Sequence, residues 1–177
     1  DFAHSVPLGI WGLDLSSEGP ISKKNGSSYL FNYRYSYSGL ADKISGSDEG
    51  LNYQDLAFKI NLPTKKMGTF TFWGIGLLDK IIQRPEDDPK QWETSIERQE
   101  QKANFQKGVI GMAHILSWND NTYLRSNVGI TYSGIKAENH IYDNGLNRIP
   151  VAFATKHETN LQINTFVNKR FKAFHTN

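Results

Sequence analysis

The 177-residue sequence contains no cysteine, so neither a disulfide framework nor a thiolate metal site can exist in it. It lacks a strong charge bias: 20 basic against 18 acidic residues give a formal net charge of +2, which argues against a dedicated nucleic-acid binder. It also lacks any run approaching the ~20 apolar residues of a transmembrane helix, and its mean hydropathy is −0.54. A membrane role would therefore fall to β-strands, which are only half apolar. No initiator Met and no charged-then-apolar leader precede Asp1, and Phe174-His175-Thr176-Asn177 falls in a turn-like stretch, so both ends read as cuts from a longer chain.

Chemistry-bearing motifs are equally sparse. His4, His114, His140, His157 and His175 are scattered without the paired spacing of metal ligands. The cluster Glu86-Asp87-Asp88 matches neither an EF-hand loop nor a carboxylate pair of defined separation, and reads first as a solvated loop, with loop calcium as the lesser alternative. Nucleophile elbows, Ser-His-Asp order and Gly-rich phosphate loops are absent. The sequence thus predicts no enzyme, no catalytic residue, no metal and no cofactor.

What the sequence does have is alternation. Tyr29, Phe31, Tyr33, Tyr35 and Tyr37 interleave with Leu30, Asn32, Arg34, Ser36 and Ser38. Side chains on a strand alternate between its faces, so one face meets something apolar and the other meets water. The pattern returns at Leu56, Phe58, Ile60 and Leu62, at Leu124, Val128, Ile130 and Tyr132, and at Leu161, Ile163 and Val167. Strand-like stretches at 9–16, 69–77 and 108–117 bring the expectation to about seven strands.

Connections of two kinds take turns. Short ones at 20–26, 63–68 and 118–121 carry Pro, Asn, Asp and Gly, and long ones run over 39–54, 78–107 and 136–159. Ser22-Lys23-Lys24-Asn25-Gly26-Ser27 and Thr64-Lys65-Lys66-Met67-Gly68-Thr69 read as one hairpin device used twice. Lys169, Arg170 and Lys172 join these lysines near the short turns, where they keep hairpin ends wet or meet lipid headgroups. Thr94-Ser95-Ile96-Glu97 has the form of a capping box, predicting a short helix through Asn104.

Short turns at one end and long loops at the other predict an all-β, antiparallel up-and-down transmembrane β-barrel segment, with residues 1–177 as part of one barrel domain. Glu18-Gly19-Pro20-Ile21 followed by Tyr29 to Ser36, the stretch Tyr53 to Lys66, Gly68 to Gly76, and Asn121-Thr122-Tyr123-Leu124-Arg125 resemble barrel hairpins of TonB-dependent outer-membrane receptors, of the Bacteroidetes type with a carboxypeptidase-regulatory-like domain. That resemblance implies a wall segment of a barrel of about 22 strands importing a bulky nutrient. The plug and the segment contacting TonB have no match here. The implied partners are outer-membrane lipid, the remaining barrel and plug, TonB through a segment outside this chain, and a surface lipoprotein; the implied location is the bacterial outer membrane. Pore-lining candidates are then Asn32, Arg34, Asp55, Lys59, Asn61, Arg125 and Asn127, and lipid-facing candidates are Tyr29, Phe31, Tyr33, Tyr35, Tyr37, Leu56, Phe58, Ile60, Val128 and Ile130. Alternation alone equally suits a small soluble β-barrel or sandwich binding an apolar ligand, or a surface adhesin-like β-protein.

Overall fold

The computed structural model describes residues 1–9, 12–36, 50–86 and 88–171, with the backbone alone at 50 and 51. One antiparallel sheet contains all nine strands: β1 (Ala3–Ser5), β2 (Leu8–Gly9), β3 (Gly12–Ser22), β4 (Ser27–Ser36), β5 (Gly50–Pro63), β6 (Thr69–Gln83), β7 (Gln99–Asn119), β8 (Thr122–Tyr142) and β9 (Arg148–Lys169). From β3 to β9 each strand pairs with the next in sequence, and β1 and β2 lie side by side along the outer edge of β3. No helix among the described residues is long and apolar enough to cross a membrane.

The expected closed transmembrane barrel is corrected here. Among the described residues the sheet is open: β1 and β2 form one edge, β9 forms the other, and the two do not pair. Alternation reports which face a side chain takes, whereas closure depends on tilt and register shift accumulated over every strand, which no local pattern carries. Among the described residues there is also no second layer. No hydrophobic residue among those described is buried, so a sandwich core is absent as well.

The long loops are corrected too. Residues 39–49 of the first lie outside the described residues; of the described loop residues most extend the strands: β6 runs on to Gln83, β7 begins at Gln99, and β8 and β9 continue to Tyr142 and back from Arg148. Asp143–Asn147 closes the last hairpin tightly. The Asp143 carboxylate accepts from the Gly145 and Asn147 backbone N–H groups at 2.8 Å, and Leu146 takes a left-handed φ of 61°. The capping-box bond forms, since the Thr94 N–H donates to the Glu97 carboxylate at 2.6 Å, but no helix follows. Residues from Gln99 onward pair instead with β8, and from Gln101 onward with β6 as well, so long-range pairing overrides local preference. The short helix present is a single 3-10 turn at Pro89–Gln91, capped by Asp88.

The repeated hairpin device is visible in both copies, each with a left-handed glycine: Gly26 at φ 73° and Gly68 at φ 76°. Asn25 braces the first by accepting from the Ser27 N–H and hydroxyl. Thr64 braces the second, its hydroxyl accepting from the Met67 N–H and donating to the Gly68 carbonyl.

Candidate functional site

Register joins the strand patterns into two continuous faces. Across the sheet, Tyr29, Ile60, Phe72, Met112, Val128 and Ile163 stand in one row. The next row is Phe31, Phe58, Gly74, Ile110, Ile130 and Leu161, and the next is Leu15, Tyr33, Leu56, Gly76, Gly108, Tyr132 and Thr159. Every row lies on the same side. The nine described residues of the proposed apolar set therefore share one face; Tyr37 lies outside the described residues.

Asn32, Arg34, Asp55, Lys59, Asn61, Arg125 and Asn127 all stand on the opposite face. There Arg34 Nε donates to both Asp55 carboxylate oxygens at 3.0 Å, and Asn32 donates to Asp14 at 2.8 Å. The hydrogen bond to Asp55, with its charge, raises the Arg34 pKa above its already high ordinary value. Asn61 accepts from the Thr71 hydroxyl at 3.0 Å. Lys59, Arg125 and Asn127 are not part of this ion-paired row; they stand in other rows of the same face.

The apolar face is interrupted by glycine. Where Gly74 leaves room, the Phe58 ring fills it, close enough that a Cβ on Gly74 would lie 2.6 Å from the ring. Gly76 and Gly108, paired to each other one row on, are not covered: a Cβ on Gly76 would meet nothing within 4 Å. They form the floor of a slot between Leu56 and Tyr132. Two adjoining hollows of about 340 and 410 Å³ share these four residues; Phe58, Ile110 and Ile130 border the first, and Tyr33, Leu78 and Gln106 the second. Glycine inside a strand marks a close approach of something to the backbone. That signal was present in the sequence, but only register shows the two glycines to be neighbours.

One side of the slot carries polar groups. The adjacent row contains Gln54, Leu78, Gln106, Gly134 and His157. The Tyr33 hydroxyl donates to Gln54 at 3.0 Å, and the Tyr132 hydroxyl lies 2.9 Å from His157 Nδ1. The slot is thus apolar at its base and along one flank, with hydrogen-bonding groups along the other.

A second cluster sits beyond the apolar band, where β7, β8 and β9 extend past their neighbours. Glu100 and His140 are 8% and 7% exposed in a sheet that buries no apolar residue. Glu100 receives Arg148 and Lys102, each at 2.6 Å, while Arg148 Nη2 lies 3.2 Å from His140 Nδ1 and the Phe153 ring stands edge-on to His140. Burial pushes the Glu100 carboxyl up, but hydrogen bonds and charge from Lys102 and Arg148 outweigh it and hold the group below the usual carboxylate range. Nothing local marks this cluster in the sequence, because its members lie far apart in stretches expected to be loops.

The other histidines are separate. His114 stacks on Phe70 at 4.3 Å and contacts the Met67 carbonyl at 2.6 Å, and His4 meets Ser17 at 3.0 Å. His175 and Asp87 lie outside the described residues. Among the described residues, no three of His, Asp or Glu are grouped to hold a metal.

No family model, no curated protein and no solved structure matches the chain. The expected membership of the TonB-dependent receptors is therefore corrected, because alternating strands and polar turns recur in any half-apolar antiparallel sheet. The nutrient-import function rested on that membership and falls with it. So do the expected partners (outer-membrane lipid, remaining barrel and plug, TonB, surface lipoprotein) and the outer-membrane location.

Proposed function

We propose that this chain is a non-catalytic binding module whose apolar sheet face takes an amphiphilic ligand, seated with its apolar body in the Gly76–Gly108 slot. The observation that carries this reading is the uncovered glycine pair between Leu56 and Tyr132, on a face that is otherwise aromatic and aliphatic. Hollows of about 340 and 410 Å³ are of the size that small-ligand pockets use, roughly 300–1,000 Å³. Each methylene buried there contributes about 0.8 kcal/mol, and glycine lets the ligand reach the backbone where any side chain would hold it away. Gln54, Gln106 and His157 stand one row away, where they can hydrogen-bond the polar end. A ligand with a chain or ring of apolar carbon and a hydroxyl, amide or carboxylate head fits both halves.

The test is a titration of the chain with a fluorescent long-chain fatty acid in detergent-free buffer. Saturable binding is expected, and Gly76→Val, whose Cβ has nothing within 4 Å and whose branches stand in the slot, should weaken it at least tenfold. Gly129→Ala, on the opposite face with its nearest neighbour 3.7 Å from the added Cβ, should leave it unchanged. Equal binding by all three proteins would refute the reading.

A further inference from the structure

The two edges of the sheet are unlike. On one side, β1 and β2 are segments of three and two residues separated by Val6 and Pro7, too short and broken to template a neighbour. On the other, β9 is a single strand of 22 residues, exposed throughout, with β8 its one neighbour among the described residues. An edge of that length presents a row of backbone donors and acceptors with apolar side chains beside it, an arrangement that recruits another strand.

We infer that β9 pairs with β9 of a second copy of this chain, antiparallel about a two-fold axis through His157. The argument is one of self-complementarity. An antiparallel strand paired with its own copy always sets residues of equal parity opposite each other, so both faces of the sheet continue unbroken into the partner. Centred on Lys156 or on Glu158, the pairing sets a charge against its own copy. Centred on His157, it sets Lys156 opposite Glu158 twice, Thr155 opposite Thr159, and Phe153 opposite Leu161. Phe153 and Leu161 are 65% and 62% exposed in the single chain and lie on the apolar face, so their contact extends that face across the junction. The irregular step in the β8–β9 ladder near Pro150 ends the matched stretch at Ala152 opposite Gln162. The glycine floor of the slot lies on β6 and β7, and this edge reaches it only through His157 and its contact with Tyr132; the pairing rests on β9 alone and not on ligand binding.

Because the chain has no cysteine, single thiols report the register directly. Thr155→Cys and Thr159→Cys are prepared separately and oxidised alone and mixed. The expected result is a covalent dimer in the mixture and little in either protein alone, since only residues 155 and 159 of different copies face each other. Sedimentation of the unmodified chain should show a dimer. Lys156→Glu, which sets like charges opposite each other at two places, should raise its dissociation constant roughly tenfold, and adding Glu158→Lys should restore it. A monomer at all concentrations, linkage as strong in each variant alone as in the mixture, or a Lys156→Glu effect that the swap does not rescue would overturn the proposal.

Discussion

At Gly76 and Gly108 the missing side chains have opposite consequences for stability and for binding. A β-branched residue suits a strand better than glycine, and the space above Gly76 is open. Gly76→Val is therefore expected to leave the melting temperature unchanged or raise it by a few degrees, while it removes ligand affinity. Thermal unfolding and titration of the same preparation check both halves. Glu100 is a different case, because its partners are charged. Its carboxyl is held below its ordinary pKa of 4.5, so its pairing contributes stability above that value and loses it as pH falls through the lower folded value. Lys102 and Arg148 are 39% and 41% exposed, which limits the contribution to about 1 kcal/mol. Glu100→Gln should melt earlier than the unmodified chain at pH 7, and the difference should vanish once acid has protonated the carboxylate below its lowered folded value. Circular dichroism melts across that range read the effect.

Among the elements, the two hairpin turns separate backbone strain from steric conflict. Both glycines have left-handed φ, so alanine at either is strained by about 1 kcal/mol. At Gly26 nothing lies within 4 Å of the added carbon, and the strain is the whole cost. At Gly68 the added carbon runs into the Ile115 carbonyl and the Leu116 backbone, which the β6–β7 ladder holds in place. Gly68→Ala should therefore destabilise by roughly 2–3 kcal/mol, clearly more than Gly26→Ala, as denaturant midpoints would register. These turns were legible in the sequence because their chemistry is local. So was the face of each strand, since Tyr29 to Tyr35 and Leu56 to Ile60 need only their own alternation to declare it. Strand length was not legible: the mostly polar stretch Gln99 to Asn104 has no strand signature of its own and becomes strand because β8 pairs with all of it and β6 with Gln101 onward. The capping box at Thr94 shows the same limit, forming its bond without its helix.

For the molecule as a whole, a single layer whose described residues include no buried apolar side chain has unusually little to hold it together alone. Apolar exposure on this scale marks a surface that works against something else. A ligand bound to the folded sheet alone adds RT ln(1 + [L]/Kd), about 2.7 kcal/mol at a hundredfold excess over Kd. The melting temperature of the unmodified chain should accordingly climb with fatty-acid concentration, and that of Gly76→Val should stay flat. The slot itself was half legible: two glycines in apolar strands are plain in the sequence, but their pairing exists only in register. Openness was not legible at all, since no residue records whether the first strand meets the last.

The uninterrupted order of β3 to β9 also governs how the sheet comes apart. Each strand depends only on its immediate neighbours, as units in a repeat array do, so loss of one end need not carry the other with it. The ladders are also unequal: β1 and β2 hold β3 over a few residues, whereas β7, β8 and β9 are 21, 21 and 22 residues long. Amide hydrogen exchange should then follow a gradient along the chain, fastest at the amino-terminal edge and slowest in β8, in place of one global opening. A protein wired this way can begin to assemble from any hairpin and grow outward by addition of the next, without waiting for distant parts of the chain to meet.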